Sequence, residues 1–392
     1  MKHALFCWEY GAGMGHIGSH KMIARRLKAN GWTTSLINPS NVELTADAAF
    51  DSILTLPQAK QLNEFDFTEL SKIRSQNRVV TSFGYGSDKF VFGRLKLWSR
   101  LYDMTDPTLV VADYAPAALM AARGRFPTIA VGNGFTLPPA NLTSYPPFFR
   151  AKDPTDATQL LDNVNSALRL ARMPTLRYLP EMFHADFSAC TTLEIADVYR
   201  RVRKDPVISL LCNQPIARAD VSGKHEIFVY LTHCRWPMRR LVIEALVKVN
   251  QPTKVFSLQY GADDAELVSG SNIHFVKEPV PLNTIIKDSR FVIHLGSHSL
   301  ALQLLVAGMP SLNLTIDIEK VVNGSVLKQA GLISMTSLPQ IKSVDSLVET
   351  IQSALGDSGL VQNVTEFADN LPADTCERAL NTIHAAANRL TS

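Results

Sequence analysis

A histidine in a glycine-rich turn and an aspartate at the end of an apolar run are the residues of this chain best suited to moving a proton. His16 closes Tyr10-Gly11-Ala12-Gly13-Met14-Gly15-His16, and Asp113 closes Thr108-Leu109-Val110-Val111-Ala112-Asp113. Imidazole titrates near working pH, and a carboxylate beside it can hold its charged form, so the two together could deprotonate a hydroxyl. Each also has a plain structural reading: His16 as a helix-capping or phosphate-side histidine, Asp113 as the N-cap of the next helix. A second chemical stretch is Gly296-Ser297-His298-Ser299, small residues that open a helix. The unpaired N–H groups and positive dipole end of a helix make an anion site, above all for phosphate.

The elements that must position these residues follow from hydrophobic period and punctuation. His3–Glu9 reads as a first strand, followed by a helix with a face at His20, Ile23, Ala24 and Leu27 that stops at Gly31, then a strand at Thr33–Asn38. Thr108–Asp113 is a strand, Pro116–Arg123 a helix, Thr128–Val131 a strand and Gly132-Asn133-Gly134 a turn. Ligands of parallel α/β sheets sit at the carboxyl ends of strands, which places His16 and Asp113 on one edge. Thr155–Met173 reads as a long amphipathic helix, and Thr191–Glu194 and Pro206–Leu211 as the last strands of the first domain. A second βαβ series begins at Glu226–Leu231 and includes the strand Phe291–Leu295, the helix Leu300–Ala307 and the stop Gly308-Met309-Pro310. The pattern is α/β with two doubly wound, Rossmann-like domains. We expect an N-terminal domain over 1–213, a linker at 214–224, a C-terminal domain over 225–345 and a helical tail over 346–392.

One register relates much of this to a known pattern. Pro281, Ile285-Ile286, Gly296, Gly308-Met309-Pro310, Glu319-Lys320 and Asn323 stand where the donor-binding half of family-1 GT-B glycosyltransferases has Pro-Gln, a leucine pair, His-Gly-Gly, Gly-x-Pro, Asp-Gln and Asn. Near the start, Gly13, Gly15, His16, Ile23-Ala24, Leu27 and Gly31 match the family's opening Gly-x-Gly-His segment. The chain therefore resembles the UDP-sugar and macrolide or antibiotic glycosyltransferases. It departs from them at Leu282, Leu295, Ser297, Lys320 and Ser19, and at Thr232-His233 where the family has Gly-Ser.

The resemblance implies a GT-B fold whose domains face each other across a cleft. It implies an inverting, nucleotide-sugar-dependent, hexosyltransferase-like enzyme, with His16 as general base and Asp113 as its orienter. The substrate would be a UDP- or dTDP-sugar, with the hydroxyl of a small molecule or glycan as acceptor and no cofactor. The absence of a D-x-D motif agrees with chemistry that needs no metal. Donor binding falls to Pro281, Gly296, Ser297, His298, Ser299, Glu319, Lys320 and Asn323. Because leucine cannot hold a diphosphate, His298 is the expected substitute at Leu295, while His294 is expected to point to the opposite side of its strand. Acceptor-side candidates are Gly15, Phe83, Tyr85, Asn133 and Phe135. Core packing is the plain alternative for the aromatic patch at Phe83, Tyr85, Phe90, Phe92 and Trp98.

Composition narrows the field. A net charge of +3 without a basic block does not suggest nucleic acid as a partner. Five scattered cysteines without a C-x-x-C pair read as thiols in a reducing, cytoplasmic compartment, and no segment has the length of a membrane span. Arg94, Lys96 and Arg100 among apolar residues leave a membrane-surface helix for a lipid-linked acceptor as an alternative. A catalytically silent homologue acting as a binding partner is another, motivated by Leu282, Leu295 and Lys320. A nicotinamide enzyme is disfavoured: Gly13, Gly15 and Gly18 fit its spacing, but no acid closes the second strand at Leu36-Ile37-Asn38-Pro39.

Overall fold

The computed structural model of the chain describes residues 2–11, 14–39, 44, 46–56, 73–150, 153–232 and 234–392. Gly13, His233 and the stretch 57–72 lie outside the described residues. Internal contacts divide the chain into two units, Met1–Leu211 with Glu377–Ser392, and Cys212–Cys376.

The first unit is a parallel sheet of six strands: β1 (His3–Trp8), β2 (Thr33–Pro39), β3 (Ser52–Leu56), β4 (Leu109–Asp113), β5 (Thr128–Gly132) and β6 (Phe187–Cys190), in the order β3-β2-β1-β4-β5-β6. Strand order reverses between β1 and β4, the switch point of a doubly wound sheet. Register there pairs Phe6 with Val111 and Trp8 with Asp113. Helix α1 (Met14–Lys28) connects β1 to β2 and buries Ile17, Ile23, Ala24 and Leu27 against Ala4, Phe6, Trp8 and Val111. Further helices are α2 (Gln76–Val80), α3 (Asp88–Thr105), α4 (Pro116–Ala122) and α5 (Ala157–Leu170). Asp156 caps α5 by accepting from the N–H groups of Thr158 and Gln159.

The unit's last strand differs from the expected one. Phe187–Cys190 pairs with β5, whereas Thr191–Glu194 leads into a single turn of 3-10 helix at Glu194–Ala196. Residues 206–211 form no ladder. Pro206 has no N–H to donate, and this segment contributes buried Ile208 and Leu211 instead.

The second unit repeats the plan with β7 (Ile227–Tyr230), β8 (Thr253–Phe256), β9 (Ile273–Val276), β10 (Phe291–His294), β11 (Ser311–Thr315) and β12 (Ser334–Ser337), in the order β12-β11-β10-β7-β8-β9. Its helices are α6 (Trp236–Val249), α7 (Ala262–Leu267), α8 (Leu282–Asp288), α9 (His298–Ala307), α10 (Ile318–Gln329), α11 (Val344–Leu355) and α12 (Ser358–Asp369). Residues 214–224, expected as a linker, belong to this unit. Ile216, Ala219 and Val221 pack on its apolar core beside Phe228 and Met309.

The expected C-terminal tail divides at Cys376: α11 and α12 stay with the second unit, and α13 (Arg378–Leu390) belongs to the first. Ala379, Ile383, Ala386 and Ala387 of α13 are buried in the first unit's core. Among the described residues, no helix is long and apolar enough to cross a membrane.

The burial of α13 has a measurable consequence. Ile383 is 1% exposed, so Ile383→Ala should cost about 2–5 kcal/mol, combining lost transfer energy and a cavity. A urea unfolding series on both proteins reads this, and a loss under about 0.5 kcal/mol would contradict the packing.

Candidate active site

The first unit's site is built where β1 and β4 lie side by side. Asp113 ends β4, and Tyr114 then takes a left-handed conformation, φ 45°, that turns the chain sharply before Pro116 opens α4. Asp113 does not cap that helix, whose N-cap is Ala115 with no side-chain bond. Its carboxylate turns to α1 instead, where Oδ2 lies 2.8 Å from His16 Nδ1. The capping reading of Asp113 is thereby excluded. The neutral imidazole donates its Nδ1 proton to the carboxylate, which puts the basic lone pair on Nε2.

Two further residues fix the ring. Trp8, fully buried, stacks on it with centroids 4.9 Å apart and planes 25° from parallel. Gly11, at φ 101°, runs past the Nε2 edge so closely that a Cβ there would lie 2.6 Å from Nε2. Only glycine meets both demands. His20, one turn along α1, is buried with Nε2 4.0 Å from the same Asp113 oxygen.

Glu9 is the residue that sequence reasoning missed. It is buried at the end of β1; one carboxylate oxygen accepts from Trp98 Nε1 at 2.6 Å and the other from the Ala117 N–H at 2.9 Å. It thus supplies the anionic cap that α4 lacks from its own N-cap residue. Burial pushes the Glu9 carboxyl up, and the Arg94 guanidinium 3.8 Å away opposes the rise. The available signal was a lone carboxylate on an otherwise apolar strand.

The acceptor-side candidates separate. Gly15 is exposed on α1, and Phe83 is half-buried, stacked on Tyr10 at 4.2 Å and 12°. Asn133 follows β5 on the same sheet edge, where its Oδ1 accepts from the N–H groups of Phe135 and Thr136 at 2.9 and 3.1 Å. Tyr85 and Phe135 lie in the packed interior, at 0% and 2% exposure, so they back the edge and do not form its surface. Of the aromatic patch, Phe83, Phe90 and Phe92 are half-buried while Tyr85 and Trp98 are fully buried, and the half-buried Tyr10 adds its face to Phe83.

The second unit's candidates cluster on the turn after β10. Gly296 has φ 80°, and a Cβ there would lie 3.2 Å from Thr315 Cγ2 and 3.3 Å from Lys320 Cβ. Ser297 and Ser299 are exposed at the mouth of α9, while His298 is buried. His294, the last residue of β10, is buried, with Nδ1 accepting from the Gly296 N–H at 3.2 Å. Burial lowers its pKa to about 3, with the Lys320 charge adding to the effect, so the ring is neutral and carries its proton on Nε2.

Lys320 is paired with the N-cap of its own helix. Its ammonium is held by Asp317 Oδ2 at 2.6 Å, and Asp317 Oδ1 caps α10 through the Lys320 N–H at 3.0 Å. Glu319 is half-buried on the first turn of α10, and Asn323 lies buried one turn further on. Pro281 is exposed at the N-cap of α8.

Several solved structures that superpose on the chain are named as glycosyltransferases. The calicheamicin glycosyltransferase CalG4 superposes with a TM-score of 0.67 at 15% identity, over 100% of this chain and 99% of its own. The glycosyltransferase VinC, solved in complex with dTDP, gives 0.61 at 15% identity, over 99% and 100%. MurG of Acinetobacter baumannii gives 0.61 at 12% identity, over 98% and 100%. No protein-family model matches the sequence, and no curated protein matches it either. The chain has the GT-B fold, an α/β architecture of two parallel six-stranded sheets.

Burial of His20 makes the first unit acid-sensitive. Its pKa falls from 6.5 to about 4 because desolvation disfavours the charged ring, an effect the Asp113 carboxylate only partly offsets. Between those values the unfolded chain binds a proton that the folded chain refuses, so stability is lost as pH falls. His20→Phe removes the site, and its stability relative to wild type should rise by about 2 kcal/mol between pH 7 and pH 5. Paired urea titrations measure this, and a difference that stays flat with pH would contradict it.

Proposed function

We propose that the protein is an inverting glycosyltransferase that moves a sugar from a nucleoside diphosphate to a hydroxyl-bearing acceptor. The observation that carries this reading is the 2.8 Å contact between His16 Nδ1 and Asp113 Oδ2 at the β1/β4 switch point. The GT-B fold supports it, as do the glycosyltransferases that share the fold, one of them solved with dTDP.

In this reading the acceptor hydroxyl gives its proton to His16 Nε2 as its oxygen attacks the anomeric carbon. The new carbon–oxygen bond forms on the face opposite the bond to diphosphate, which breaks, and the nucleoside diphosphate leaves. Asp113 balances the imidazolium that forms. The half-buried Tyr10–Phe83 stack favours an acceptor with a flat or apolar body. The second unit takes the donor. The N–H groups and dipole of α9, with the hydroxyls of Ser297 and Ser299, meet the diphosphate charge, and this reading calls on no metal. Glu319 and Asn323 remain the residues for sugar hydroxyls, whereas Lys320 acts through Asp317. Cys7, Cys190, Cys212 and Cys234 are buried thiols, in keeping with a reducing, cytoplasmic setting.

A panel of UDP- and dTDP-sugars should contain at least one that raises the melting temperature and releases nucleotide when phenolic or sugar hydroxyls are supplied. His16→Ala should keep the melting shift and lose at least about 100-fold in nucleotide release, the usual contribution of a general base. If no donor shifts the melting curve and none is turned over, the protein is a silent homologue and not a transferase.

A further inference from the structure

We infer that Trp8 is a positioning residue that sets the basicity of His16 through the face of its ring, an inference that rests on His16 being the base proposed above. Register on the two central strands places Trp8 directly beside Asp113, both on the sheet face that α1 covers. One neighbour therefore holds the imidazole by its Nδ1 edge and the other by its face, with centroids 4.9 Å apart. The indole cannot swing away. It is fully buried, and its Nε1–H donates to the Tyr10 carbonyl. Gly11 bounds the Nε2 edge of the imidazole, so the ring has a fixed plane as well as a fixed partner.

The face contact acts differently on the two protonation states. An aromatic face carries negative electrostatic potential and attracts a cation, and tryptophan does so most strongly. Imidazolium therefore gains more from the stack than imidazole does, and the ring becomes a stronger base. Titratable groups also lie beside it. Asp113 approaches from β4, and His20, from the next turn of α1, faces the same carboxylate oxygen at 4.0 Å. Glu9, the next residue along β1, points to the opposite sheet face, towards Trp98 and Ala117. A residue that merely filled space would leave the titration of His16 where it is.

The test is an NMR titration of the His16 Cε1–H resonance, assigned by its absence in His16→Ala, in the wild-type full chain, Trp8→Phe and Trp8→Leu. The His16 pKa should fall in that order, by about half to one and a half pH units in Trp8→Leu and by less in Trp8→Phe. The His16 ring resonances should also lose their ring-current displacement in Trp8→Leu. Should Trp8→Leu not fold, the Trp8→Phe comparison decides alone, because phenylalanine keeps the packing and offers a weaker face. An unchanged His16 pKa in a folded variant overturns the proposal. The titration needs no substrate, so its failure is distinct from failure of the transferase reading, which wild-type nucleotide release decides.

Discussion

The first unit's chemistry depends on strand register. Trp8 and Asp113 become neighbours because β1 and β4 are adjacent and parallel at the switch point, with Phe6 opposite Val111 two residues earlier. A slip of one residue would turn Asp113 to the α4 face and leave His16 without a partner. That register is held by burial: Ala4, Phe6, Leu109 and Val111 are fully buried on the face that α1 covers. The apolar pattern that folds the sheet thus also brings Asp113 to His16.

The acids at helix ends show how position assigns a role to one side-chain type. Glu9 and Asp113 end neighbouring strands and point to opposite faces. Glu9 caps α4, which frees Asp113 to hold His16. In the second unit, Asp317 caps α10 and also holds the Lys320 ammonium, so two of that helix's polar groups satisfy each other.

Much of this was legible in the sequence, because the readable parts depend on local rules. Apolar runs ending in small residues gave the central strands, Gly31 and Gly308 marked helix ends, and parallel α/β logic put His16 and Asp113 on one edge. What was not legible depends on which neighbour arrives from far away. Tyr85 and Phe135 read as pocket-forming aromatics because burial is invisible in a single sequence. The pairing of Lys320 with Asp317 was not legible, because an i−3 aspartate can equally face solvent or fold back to the lysine. Strand alternation sets His294 apart from Leu295, but it does not reveal that the ring bonds the Gly296 N–H two residues on. Phe187–Cys190, and neither Thr191–Glu194 nor Pro206–Leu211, is the strand that pairs with β5, a choice of partner that apolar content alone does not reveal.

All of the proposed chemistry presupposes one protonation pattern, a proton on His16 Nδ1 facing Asp113 and an unprotonated Nε2. The nitrogen-15 chemical shifts of the His16 ring in neutral buffer report this directly, with His16→Ala again supplying the assignment. We expect a pyrrole-like Nδ1 and a pyridine-like Nε2. The reverse tautomer, with the proton on Nε2, would leave the ring unable to accept from an acceptor hydroxyl and would contradict the account.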